Sequence, residues 1–192
     1  MRPKSQRLII IGLLVAAAAI TLLFAKKEAP KTMETQTNNP KSSLKLFSQV
    51  FRDGAAIPVQ YTCKGQNVNP PLNIMGVPDG AKSLALIIHD PDAVGGDFVH
   101  WTAWDIPTSA ETITVNSVPA GAIQGLNSSG RNQYMGPCPP AGTGTHRYIF
   151  ELYALDKTLG LPGDTDRDEL KMAMESHILA QHNLTGLFAA QP

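Results

Sequence analysis

Apolar positions fall into three kinds of pattern along this chain. Leu8–Ala25 is an unbroken run of eighteen uncharged, mostly aliphatic residues, bracketed by Arg2, Lys4 and Arg7 before it and by Lys26 and Lys27 after it. Eighteen residues just reach the length needed to cross a bilayer as a helix, so the run predicts one N-terminal transmembrane or signal helix. Beyond residue 43 the apolar residues come in short runs broken by Pro, Gly and Asn, the pattern of β-structure. Ser83–His89 is a continuous apolar strand, Val99–Ile106 a second ended by Pro107, and Arg147–Leu155 a third and the longest of the three. One stretch alone has helical spacing. Thr165 and Asp168 have the form of a capping box, and Leu170, Ala173, Met174, His177 and Ile178 then recur with a helical period. The expected fold is mainly β, an antiparallel sheet domain with a C-terminal helix.

These patterns divide the chain into 1–25, 26–43 and 44–192. Residues 26–43 hold Lys, Thr, Asn and Pro with nothing to bury, and read as a flexible linker. The remaining stretch is long enough for one sizeable core and too short for two. Within it, Ser117–Gly144 contains six Gly and four Pro, too broken for a regular element, and long loops in compact domains are usually functional. For the anchor, Leu23 and Phe24 before Ala25 do not match a cleavage site, which favours an uncleaved anchor over a signal; cleavage would release a secreted domain. The basic residues in front keep that end cytoplasmic and export the domain.

Charge sharpens this picture. The chain has 16 Lys+Arg and 16 Asp+Glu. Six basic residues against one acidic lie in residues 1–31, so the remainder carries ten against fifteen, a net −5. A mildly acidic body argues against nucleic acid as a partner.

Reactive side chains gather at strand ends. His89-Asp90-Pro91-Asp92 ends one strand, and His146-Arg147-Tyr148 begins another. Strand alternation puts His146, Tyr148, Phe150 and Leu152 on one face and Arg147, Ile149, Glu151 and Tyr153 on the other. The same rule groups His100 with Thr102 and Trp104, and lets His100 join His146 and Tyr148 if their strands are neighbours. His177 and His182, on or just beyond the helix, read as packing or surface residues. The alternating Asp164, Asp166 and Asp168 lack the glycine and closing glutamate of a calcium loop, and read as helix-start chemistry.

Five motifs in order resemble the phosphatidylethanolamine-binding protein family, in its bacterial and archaeal Raf-kinase-inhibitor-like (YbhB/YbcL-type) branch. They are Tyr61-Thr-Cys-Lys-Gly-Gln-Asn-Val-Asn-Pro-Pro-Leu72, Asp90-Pro-Asp-Ala93, His100-Trp101, Tyr134-Met-Gly-Pro-Cys-Pro-Pro140 and Gly144-Thr-His-Arg-Tyr148. The similarity continues through Ser176–Ala180. The resemblance implies antiparallel sheets with a small anion pocket at one end. Asp90, His100, His146 and Tyr148 would form it, Asp92 and Arg147 would support it, Phe98 would stand as a wall, and Pro139 with the Gly136–Cys138 backbone would line its entrance. Two departures stand out. Val94 replaces a proline, which loosens the loop after Asp92, and Phe98-Val99-His100 replaces a more polar run, which changes the head group that fits.

Imidazole, phenol and backbone N–H groups are donors for phosphate or carboxylate, and a neighbouring Asp raises a histidine pKa, so such a pocket is expected to prefer anions at lower pH. No nucleophile motif accompanies these groups. The reading is therefore an exported, membrane-tethered binding protein for a small anionic ligand or phospholipid head group, non-enzymatic and without a cofactor. The resemblance adds a protein partner such as a kinase or protease, although an exported domain meets no cytoplasmic kinase. The alternative is a metal-dependent hydrolase or oxygenase, since two His and one Asp are also a metal ligand set. Finally, Cys63 and Cys138, the only cysteines, flank motifs that the resemblance sets beside the pocket. Export makes them a disulfide; otherwise they are two unrelated thiols.

Overall fold

The computed structural model describes residues 44–190. Its elements are β1 (Lys45–Phe47), β2 (Ala55–Ala56), β3 (Leu72–Met75), β4 (Ser83–Asp90), β5 (Phe98–Ile106), β6 (Thr112–Ile113), β7 (Ile123–Gln124), β8 (Thr145–Leu155), α1 (Arg167–Met174) and β9 (Ile178–Ala189). They form a six-stranded sheet in the order β2-β9-β8-β4-β5-β7 and a three-stranded sheet in the order β1-β3-β6. Pairing is antiparallel except between β2 and β9.

β4 lies between β5 and β8, and all eight of its residues are buried. That burial is why SLALIIHD reads as a continuous apolar run rather than an alternating one: both faces are covered. On one face Leu86, Ile88, Trp101, Phe150 and Leu152 pack with Leu46, Leu72 and Ile74 of the small sheet. On the other, Ala85, Ile87, Trp104, Tyr153 and Leu155 pack beneath Leu170 and Met174 of α1. Each fully buried large aliphatic side chain contributes roughly 1.5–3 kcal/mol through the water it sheds.

The fold is mainly β with one α-helix among the described residues, and three expectations are corrected. The helix is not C-terminal, because the chain continues into β9, the longest described strand. Nor does it extend to Ile178, which begins that strand. Its cap is Asp166 rather than Thr165: the Asp166 carboxylate accepts from the Asp168 and Glu169 N–H groups, and the Glu169 carboxylate accepts from the Asp166 N–H at 3.1 Å. Thr165 is buried, its carbonyl accepting the Leu126 N–H. Within the supposedly irregular Ser117–Gly144 stretch, β7 adds two residues to the edge of β5.

His182 lies on β9, where its Nδ1 accepts the Leu46 N–H at 3.2 Å. The apolar run Leu8–Ala25 and the linker 26–43 lie outside the described residues. No helix among the described residues is long and apolar enough to cross a membrane.

Candidate functional site

The site is built where β4 ends and β8 begins. Asp90, the last residue of β4, is 3% exposed. Its Oδ2 lies 2.7 Å from His146 Nδ1 and its Oδ1 accepts the Asp92 N–H at 2.8 Å, so one carboxylate fixes both the imidazole and the turn that Pro91 starts. On its other side His146 Nε2 lies 2.9 Å from Thr143 Oγ1. Asp90, His146 and Thr143 thus have the connectivity of a carboxylate, imidazole and hydroxyl relay. The hydroxyl is not set up as a nucleophile, however, because it donates to the Pro140 carbonyl at 2.8 Å and leaves its lone pair to the imidazole. His146 Nε2–H then donates to Thr143, while Nδ1 and the Asp90 carboxylate form a buried hydrogen-bonded pair. Nothing in the sequence singles out Thr143, whose contact depends on the turn after Pro140.

His100 joins this group by an unexpected route. β5 and β8 are not neighbours, since β4 separates them. The β4–β5 register opposes Ile88 to Trp101 and His89 to Val99, leaving His100 as the extra residue of a bulge. The bulge breaks the alternation that would have grouped His100 with Thr102 and Trp104. Its ring stands edge-on to Tyr148, with centroids 5.1 Å apart, and lies 5.0 Å from the Phe98 ring.

The electrostatics of His100 also correct the sequence reading. Burial lowers its pKa, outweighing the Met135 carbonyl and the Asp90 charge, which act to raise it. Its Nδ1 donates to Met135 O at 2.6 Å, so the neutral ring keeps a lone pair on Nε2. Tyr148 is 1% exposed, and its hydroxyl lies near Asp90 and the Cys138 amide without a well-formed hydrogen bond. Burial and the Asp90 charge push this phenol upward, so it stays protonated.

Around this group lies a cavity of about 200 Å³, lined by Asp90, Ala93, Val94, Phe98, His100, Met135, Cys138, Pro139, Pro140 and His146. Arg147 and Asp92 stand outside it as a two-pronged pair, with Nε to Oδ2 at 2.8 Å and Nη2 to Oδ1 at 2.7 Å. The guanidinium holds the Asp92 carboxyl at about 2. The rim is stapled by a disulfide between Cys63 and Cys138. Beside it, the Cys63 N–H donates to Pro137 O, the Gly136 N–H to Asn67 Oδ1 and the Tyr134 hydroxyl to Tyr61 O. Gly136 is required there, because a Cβ would fall 2.6 Å from Tyr61 O and 2.8 Å from Thr62 Cα.

On the opposite face of the sheet is a second network that the sequence reading did not assemble. His89 Nδ1 lies 2.6 Å from Asp97 Oδ1, and its Nε2 lies 3.7 Å from Glu151 Oε1. From α1, Arg167 reaches Asp97 at 2.5 Å and Lys171 reaches Glu151 at 3.2 Å. Burial lowers the His89 pKa, but Glu151 and Asp97 outweigh it and the net direction is upward. Burial likewise opposes Glu151 ionising, yet His89, Tyr153 and Lys171 hold it at about 2.

Among the described residues, no group of three or more His, Cys, Asp and Glu side chains is arranged to hold a metal ion. The Nδ1 atoms of His100 and His146 are engaged by Met135 O and Asp90, so the metal alternative gains no support from the donor geometry.

Similar proteins agree with this architecture. UPF0098 protein PH1269 of Pyrococcus horikoshii is 46% identical over 160 residues, covering 77% of each chain. A Mycobacterium tuberculosis protein named as a candidate lipoprotein, LppC, is 44% identical over 158 residues, covering 82% of this chain and 78% of its own. Among solved structures, the phosphatidylethanolamine-binding protein homolog CT736 of Chlamydia trachomatis superposes with a TM-score of 0.74 at 35% identity, over 78% of this chain and 99% of that one. YbcL of E. coli, described as a member of the mammalian PEBP family, gives 0.73 at 27% identity over 77% and 99%. The family model described as phosphatidylethanolamine-binding protein matches residues 47–189, from the end of β1 to the end of β9, and the chain therefore belongs to the phosphatidylethanolamine-binding protein family.

Proposed function

We propose that this chain is an exported, membrane-tethered binding module that takes a small phosphorylated ligand, free or as a head group, in the cavity between Asp90, His100, His146 and Tyr148. What supports the reading is the cavity of about 200 Å³ that gathers the Asp90–His146 pair, His100 and Phe98 at the end of β4; Tyr148 is not in its lining, but its ring packs edge-on against His100. In that cavity His146, once protonated, supplies positive charge, and the His100 Nε2 lone pair supplies an acceptor. An acceptor inside an anion site suits a ligand that is itself partly protonated. Phosphomonoesters, with a second pKa near 6, carry such a proton around neutral pH, whereas carboxylates do not. The same donor set therefore favours phosphate over carboxylate.

Binding fits better than catalysis. Cys138 is bridged, and the hydroxyl nearest His146 gives its hydrogen to Pro140. Export is supported by the disulfide, which persists in oxidising compartments, by the apolar run Leu8–Ala25, and by the relative named for a lipoprotein. A protein partner is compatible with the exposed rim loops, and its class is left open.

The test is an NMR titration of the histidine ring signals with phosphate, phosphoethanolamine and acetate. His100 and His146 should shift together with the two phosphates and weakly with acetate. Unchanged rings at millimolar phosphate would overturn the reading.

A further inference from the structure

A separate crevice of about 280 Å³ opens where the loop around Asn67, the turn at Asn116 and the edge strand β7 meet over Trp101. It shares no lining residue with the cavity at the end of β4. Five of its ten lining residues carry a side-chain amide, Asn67, Asn69, Asn116, Gln124 and Gln133, and none carries a charge.

The fold holds three of these amides by their oxygens. The Gly136 N–H donates to Asn67 Oδ1 at 2.8 Å, the Ser117 N–H to Asn69 Oδ1 at 3.1 Å and the Trp101 indole N–H to Gln124 Oε1 at 2.6 Å. Asn69 also donates its NH₂ to the Thr114 and Pro70 carbonyls, and so ties the loops together and does nothing else. Asn67 and Gln124 differ. With its oxygen pinned, each leaves an NH₂ that makes no hydrogen bond with any described residue. The amides of Asn116 and Gln133 make none at either end. Asn67 and Asn116 also hold left-handed backbone, with φ of 56° and 51°, a conformation that costs any residue with a side chain and that Asn bears better than most.

Carbon surface separates these amides. Val68 and Val118 are half-buried, and the Trp101 and Tyr134 rings meet edge-on with centroids 5.9 Å apart. The polar atoms of both rings are already bonded, to Gln124 and to Tyr61 O, so the rings offer carbon alone.

The lining selects its guest. An ion would lose its water here with no charge to replace it. The pinned NH₂ groups call for a carbonyl acceptor, and the two unbonded amides both give and accept, as sugar hydroxyls do. A peptide bound as an added strand would need a longer free edge than the two residues of β7. The crevice is just smaller than the roughly 300–1,000 Å³ of most small-molecule sites, which admits one ring and not a chain. We infer that it binds one uncharged, N-acetylated sugar residue. The acetamido carbonyl accepts from the Asn67 or Gln124 NH₂, the hydroxyls bond Asn116 and Gln133, and the ring C–H face and acetyl methyl lie on Val68, Val118 and Tyr134.

The test follows the indole N–H signals of the full chain in phosphatidylcholine nanodiscs by NMR. Trp101 N–H is bonded to Gln124 in the crevice wall; Trp104, packed with α1 on the other face of the sheet, is the internal control. N-acetylglucosamine should move the Trp101 signal and not that of Trp104. Glucose, which lacks the carbonyl, should bind about tenfold more weakly, the loss of one neutral hydrogen bond. Asn67→Asp and Gln124→Glu keep the oxygen that Gly136 or Trp101 needs and replace only the NH₂. Each should weaken N-acetylglucosamine by about tenfold or more at an unchanged urea midpoint. Gln133→Ala, at an exposed position whose side chain bonds no described residue, should weaken it severalfold whatever the other two changes do to the fold.

Equal affinity for the two sugars would overturn the inference, as would full affinity in both isosteric variants or in Gln133→Ala. So would a Trp101 signal that stays still up to about 100 mM N-acetylglucosamine, the weak limit of measurable binding. A Trp104 shift of the same size, or tighter binding of N-acetylglycine methylamide as a peptide-backbone probe, would also overturn it.

Discussion

The buried pair of Asp90 and His146 gives the sharpest prediction, because two substitutions at one position should differ in a way that only the pairing explains. Asp90→Ala strips His146 of its partner inside a site where both side chains are nearly inaccessible, at 4% and 3%. Losing one member of a buried ion pair costs about 3–5 kcal/mol. Asp90→Asn keeps the shape. Its oxygen can still accept the Asp92 N–H, and its NH₂ can donate to His146 Nδ1 once the ring is neutral, with Nε2–H still facing Thr143. The loss is then the difference between a charge-assisted and an ordinary hydrogen bond, about 1–2 kcal/mol. Urea unfolding of the full chain, followed by tryptophan fluorescence, measures both. The chain has 2 tryptophans, Trp101 and Trp104, and both lie in the core, so the signal reports this domain alone. Phosphate affinity should fall at least tenfold in the Asn variant, since the ring loses the carboxylate that favours its protonated form. Equal losses of stability in the two variants, at unchanged m-values, would refute the reasoning, because the cost would then follow the charge removed and not the pairing lost.

Reducing the Cys63–Cys138 bridge, which closes a loop with a sequence separation of 75, should destabilise the domain by about 4 kcal/mol in the chain-entropy model, read as a lower urea midpoint with reductant than without. Gly136→Ala should cost about 1–3 kcal/mol by forcing the Tyr61 and Tyr134 loops apart, and should weaken phosphate binding; an unaffected midpoint would contradict the close approach. The pH dependence has two limbs. Glu151 sits below its usual 4.5, so its contribution, about 3 kcal/mol at most, is present above pH 4.5 and lost as the pH falls toward 2. His89 is raised above 6.5, so its contribution is complete below that value and lost as the pH rises through the folded pKa. Urea midpoints from pH 2 to 9 should show both limbs, with Glu151→Gln flattening the acid one and His89→Gln the alkaline one.

The parts of the fold legible in the sequence are those whose burial leaves a local trace. β4, with both faces covered, is a continuous apolar run; β8 begins at a cluster of polar side chains and alternates from Thr145 to Leu152 before its last residues are buried on both faces. β9 leaves no such trace. Its residues Ile178–Ala189 include Gln181, His182 and Asn183, only three of the twelve are buried, and its start continues the helical spacing of α1. β2, β6 and β7 are two residues each and are held by partners, not by their own pattern. At the site, strand ends single out Asp90 and alternation sets His146 beside Tyr148, whereas the supporting roles of Asp92 and Arg147 come from the family resemblance alone. His100 reaches them only because a bulge reverses its side, and a bulge is a property of the pairing between two strands. Thr143 and the Met135 carbonyl are positioned by turns. The Asp97–His89–Glu151 network joins the two ends of the β4–β5 turn to β8, so no single window of the chain contains it.

His89 and Asp90 close β4 with side chains on opposite faces, and between them they hold both ends of the turn that forms one wall of the cavity. Asp90 takes the Asp92 N–H at its start; His89 and Arg167 take Asp97 at its finish. The tip, Val94-Gly95-Gly96, is what these contacts leave unsupported. Val94 is 72% exposed, and Gly95 and Gly96 have φ of 105° and 114°, a region closed to most side chains. The Gly96 N–H donates to Ala93 O, which makes Val94 the second residue of a turn, the position where proline's fixed φ fits best. The Val94 N–H makes no hydrogen bond with any described residue, so Val94→Pro removes none. The substitution should therefore stabilise the domain by about 0.4–1 kcal/mol through the unfolded chain. Because Val94 lines the cavity, a stiffer tip should also slow phosphate entry without altering the His100 and His146 chemical shifts of the bound state. A lower urea midpoint in Val94→Pro would show that the tip needs a backbone conformation proline cannot adopt, and that the wall is held by its own geometry and not by its two ends.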